Sequence, residues 1–105
     1  MKFKEFLAYL ESNLDGYKVF MSKALAYQNE KNARRTGKNR WKDEKVRKAA
    51  YEMWRTSMEN FYNQVKKEVN SDFPSAWVSF IEKNNLFEVL NDGIQEMDFS
   101  DDGAA

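Results

Sequence analysis

Residues 30–50, "EKNARRTGKNRWKDEKVRKAA", gather nine Lys or Arg side chains and three acidic ones in a chain whose formal net charge is zero. Cations at that density hold phosphates and other anions well, because neutralising a polyanion releases its condensed counterions. Lys31, Arg34, Arg35, Lys38, Arg40, Lys42, Lys45, Arg47 and Lys48 are the candidate polyanion-binding residues. Trp41 stands among them as an indole able to stack on an unpaired base. Gln28, Asn29, Asn32 and Asn39 add amides that can reach phosphate or base edges. The same run also suits a solvated helix face, softened by Glu30, Asp43 and Glu44, with Trp41 packed against the core. No zinc-finger spacing, RNP-type aromatic run or GxxG loop accompanies the charges, so the nucleic-acid expectation rests on charge.

Other chemistry is scarce. The chain has no Cys and no His, which removes disulfides, thiolate or imidazole metal sites and every nucleophile paired with an imidazole. Ser71, Ser75 and Ser79 lack a nucleophile-elbow motif, and Glu52 with Glu59, or Asp101 with Asp102, read as surface carboxylates. From residue 86 onward there are six carboxylates and no cation, but the Gly and Glu positions of a calcium loop are missing. The expectation is therefore no catalysis, no cofactor and no metal. The acidic end can lie near the basic run of its own chain or meet that of a second molecule, and beyond Phe99 it reads as a frayed, solvated tail.

The elements that must position the cations read as helices, since one Pro and four Gly in 105 residues are too few for a turn-rich β fold. Phe3, Phe6, Leu7, Leu10 and Leu14 form one apolar stripe, and Tyr17, Phe20, Met21, Ala24 and Tyr27 form another. Asp15 is placed to cap the second helix, which can run on toward Arg35. "TGKN" at 36–39 is a turn, with Gly37 suited to positive φ. From about residue 40 to 70 no Gly or Pro interrupts a doubly apolar pattern. Val46, Ala50, Met53, Ser57 and Phe61 make one row; Trp54, Met58, Tyr62, Val65 and Val69 make its neighbour. So wide a stripe predicts a central spine contacting several neighbours. Pro74 opens a short helix carrying Trp77, Val78, Phe80 and Ile81; Asn85 with Glu88 suggests a capping box for a last helix that Gly93 can bend. These last two helices do not suit a helix-turn-helix reader, because the second is acidic.

The expected fold is all-α: a single domain over residues 1–99, with four to five helices around one long central helix, followed by an acidic tail at 100–105. The opening residues are too charged for a signal peptide and no stretch approaches a membrane span, which leads to the expectation of a cytoplasmic protein. Two functional expectations follow. The first is a noncatalytic, accessory binding module whose basic hairpin engages DNA or RNA phosphates. The alternative is a protein-interaction or self-assembling helical adaptor or inhibitor in which the stripe of Tyr51, Trp54, Met58 and Tyr62 is completed by a partner chain.

Overall fold

The structure, a computed structural model, describes residues 1–99. They form five α-helices, with no strand among the described residues: α1 Phe3–Asn13, α2 Gly16–Ala33, α3 Asp43–Val69, α4 Pro74–Lys83 and α5 Leu86–Glu96. A 3-10 turn at Gly37–Asn39 joins α2 to α3. The 27 residues of α3 span about 40 Å at 1.5 Å per residue, which makes it the spine of the bundle. Its ends follow helix electrostatics: Asp43 and Glu44 occupy the first turn, Lys66 and Lys67 the last. Asn70 then turns into the left-handed region at φ 48°, where an Asn is better tolerated than most residues, and stops the helix.

α3 buries Ala50, Trp54, Met58, Tyr62 and Val65 against Phe6, Leu7 and Leu10 of α1, Phe20 and Ala24 of α2, Trp77 and Ile81 of α4 and Ile94 of α5. The aromatic rings interlock. Tyr62 stacks on Trp77 at 5.1 Å between centroids, Phe6 meets both, and Trp54 lies between Tyr17 at 4.8 Å and Phe20 at 5.3 Å. The polar ends of Trp54, Trp77 and Tyr62 are met: Trp54 Nε1–H donates to Glu11 Oε2, Trp77 Nε1–H to Ser71 O, and Tyr62 O–H to Met1 O. That matters because a buried, unsatisfied donor costs about 1–3 kcal/mol. No helix is long and apolar enough to cross a membrane among the described residues.

The core cluster and the hydrophobics packed on it come from residues 1–25 and 50–99. The far parts of α2 and α3 therefore run past the core as a two-helix projection, and the molecule measures 50 × 24 × 23 Å.

Several local expectations are corrected. Asp15 makes no side-chain cap; the N–H of Gly16 is taken by Asn91 Oδ1 of α5 at 2.8 Å, so the cap comes from a distant element. Asn85 makes no capping box with Glu88, because it adopts left-handed geometry at φ 52° in the tight α4–α5 corner. α5 runs through Gly93 without a break. α2 ends at Ala33, two residues short of Arg35, and α3 starts at Asp43 instead of Arg40, because residues 34–42 are used to cross between the arms. The expected tail at 100–105 lies outside the described residues.

Candidate functional site

The crossing between α2 and α3 is locked by one side chain. Asn32, in the last turn of α2, accepts from the backbone N–H of Trp41 through Oδ1 at 2.8 Å and donates to the Trp41 carbonyl through Nδ2 at 3.0 Å. An amide that supplies donor and acceptor to one residue acts as a strand-like pair, and it fixes the chain just before α3 begins. Gly37 supplies the positive φ of 54° that the intervening 3-10 turn requires. Arg40 Nη2 lies 3.4 Å from the carbonyl of Ala33, adding a cation to the carbonyl-rich end of α2.

Trp41 is half-buried, and cations cover it. The Arg35 guanidinium carbon lies 3.7 Å from the ring centroid and the Lys45 ammonium 4.7 Å from it. Arg35 is further held by a 3.2 Å hydrogen bond from Nη1 to Asn32 Oδ1. Each such cation–ring contact contributes about 0.5–1 kcal/mol at an exposed site and more where water is excluded. Lys31 makes the same kind of contact with Tyr27, at 5.2 Å.

Of the ten candidate residues, Lys38, Arg40, Trp41, Lys42, Lys45 and Lys48 line one open depression at the hairpin tip, with Glu44 its one acidic member. All five of these cations are exposed. Arg35 joins them through the Trp41 ring, whereas Lys31, Arg34 and Arg47 do not line the depression. Arg34 is paired with Glu30 at 2.9 Å and Arg47 with Asp43 at 2.6 Å, in both cases on solvent-exposed helix surface. Pairs so exposed are worth about 0–1 kcal/mol, so a polyanion can compete for either guanidinium. The amides divide differently from expectation. Gln28 is buried and donates to Met53 Sδ, and Asn32 is committed to Trp41; only Asn29 and Asn39 of the four are exposed.

The aromatic stripe is closed within the chain. Trp54, Met58 and Tyr62 are in the core, with Trp54 fully inaccessible, and Tyr51 donates its O–H to Glu11 Oε2 at 2.7 Å. α1, α2 and α4 supply the cover that a partner chain would have supplied, which corrects the expectation of an open interaction surface there. Sequence reasoning missed Glu11, the shared acceptor of Tyr51 and Trp54, because nothing in its local spacing signals a contact across 40 or more residues. Burial first, then the hydrogen bond to Glu11 and its negative charge, push the Tyr51 phenol up to about 12. A second depression, between α1 and α3, is lined by Lys4, Glu11, Glu52 and Arg55 among others, a balanced set whose Glu11 is already engaged. No group of three or more carboxylates is placed to hold a metal ion among the described residues.

Comparison of the chain with known family models, with curated proteins and with solved structures finds no match in any of the three.

Proposed function

We propose that this chain is a noncatalytic binding module that holds a polyanion, nucleic-acid phosphates first among them, on the basic tip of the α2–α3 hairpin, as an accessory to a nucleic-acid process. The observation that carries the reading is the single depression in which Lys38, Arg40, Lys42, Lys45 and Lys48 surround Trp41 with one carboxylate among them. It sits on a projection held by Asn32, beyond the hydrophobic core, where a long ligand can approach without meeting the rest of the bundle. A basic surface of this kind needs no base readout to bind, since counterion release drives association.

Titration of labelled nucleic acid at two salt concentrations tests the reading. If all five cations of the depression reach phosphates, log affinity should fall with log salt with a slope of about −4.5, near 0.9 per phosphate neutralised on a duplex. Changing Lys38, Arg40, Lys42 and Lys48 together to Glu should abolish binding while circular dichroism stays unchanged, because all four side chains are exposed. Absence of binding by the native chain, or binding indifferent to both salt and the reversals, would sink it.

A further inference from the structure

Resting on that reading, the geometry points to a narrower ligand: we infer that the tip takes the phosphate backbone of a paired nucleic-acid strand without regard to base, and that Trp41 positions Arg35 and Lys45 instead of stacking on a base. Proteins that hold single strands combine a basic groove with free aromatic faces on which successive bases stack. Between residues 28 and 50 the only aromatic is Trp41, and both Arg35 and Lys45 lie over its ring. A base stacking on a face they occupy must displace cations, so the gain from stacking is offset by the cation–ring attraction it breaks, and the displaced charges are those the ligand needs. The nearest aromatic on the other arm, Tyr27, is likewise covered by Lys31 and by Phe99.

Charge without stacking selects for phosphate density. A duplex carries a negative charge about every 1.7 Å of axis and releases more counterion per neutralised phosphate than a single strand does, about 0.9 against 0.7. Among the described residues no Asn or Gln lines the depression, so it holds none of the amides that pair with adenine edges, and its cations are left for the backbone.

Trp41 makes its own test possible. Trp54 and Trp77 are 0% and 1% exposed, so an external quencher reads Trp41. Equal lengths of duplex and of oligothymidine are titrated against the native chain, Trp41→Phe and Trp41→Leu, following affinity in all three and Trp41 emission in the native chain. The native chain should bind the duplex several-fold more tightly, with little emission change on either ligand. Trp41→Phe keeps a ring for both cations and should stay within about threefold of native, whereas Trp41→Leu loses the ring and should weaken about five- to tenfold. Tighter binding of oligothymidine with strong quenching of Trp41 overturns this inference and leaves the polyanion reading standing. Equal loss in the Phe and Leu variants, with unchanged helix content, also overturns the positioning role. Binding of neither ligand overturns both.

Discussion

Glu11 joins two side chains of α3 through one oxygen, and the consequence is a pH dependence that can be read at Tyr51. Because the folded phenol is raised from 10.0 to about 12, the fold favours its protonated form. The stabilisation is full below pH 10 and is lost as pH rises toward 12. Burial also raises Tyr9, Tyr17 and Tyr62, so the native chain should lose stability steeply over that window. Denaturant melts across it should show a shallower decline in Tyr51→Phe, which lacks one of the four groups; equal declines would remove Tyr51 from the account. Asn32 gives a second prediction. Asn32→Ala loses three hydrogen bonds, two with Trp41 and one from Arg35, worth about 1 kcal/mol each, and regains about 0.5 kcal/mol in helix propensity. A local destabilisation of about 2–2.5 kcal/mol should appear as faster amide exchange at Trp41, with the thermal midpoint of the core nearly unmoved. The grouping of cations was visible in residues 30–50 because like charges are counted directly. The covering of Trp41 by Arg35 was not, since it depends on how the chain crosses from one arm to the other.

α5 is held to α2 by polar contacts at two places. The N–H of Gly16 meets Asn91, and Lys23 Nζ donates to the carbonyls of Ile94, Gln95 and Met97, placing an ammonium at the negative end of the helix. A Cβ at residue 16 would overlap Asn91 Oδ1 and stand 2.9 Å from Ile94 Cδ1. Gly16→Ala is therefore expected to destabilise by about 1–3 kcal/mol despite the better helix former, measured as a lower denaturant midpoint. Helix existence and type were legible for every element, because each has an apolar stripe at helical spacing. The caps were not, and the reason is general to this chain: Asp15 and Asn85 carry capping chemistry, but tertiary partners and a left-handed corner claim the positions first.

The core cluster and the basic hairpin occupy different stretches of an elongated molecule. All-α architecture and a long central helix were readable from composition and from the uninterrupted stretch after residue 40, while the closure of the Trp54, Met58 and Tyr62 row required knowing that α1, α2 and α4 converge on it. Trp54→Ala should be severe, about 3–5 kcal/mol by equilibrium unfolding, since it empties the centre of the core and leaves Glu11 one donor short. Replacing residues 29–45 by a flexible loop of about six residues should instead leave the thermal midpoint within a few degrees, because that stretch contributes nothing to the core cluster. Collapse of that shortened chain would show that the projection supports the bundle. If it folds, the hairpin is an interchangeable head on a fixed handle. Its charges and length can then be rewritten by mutation, or by an engineer, without the rest of the chain registering the change.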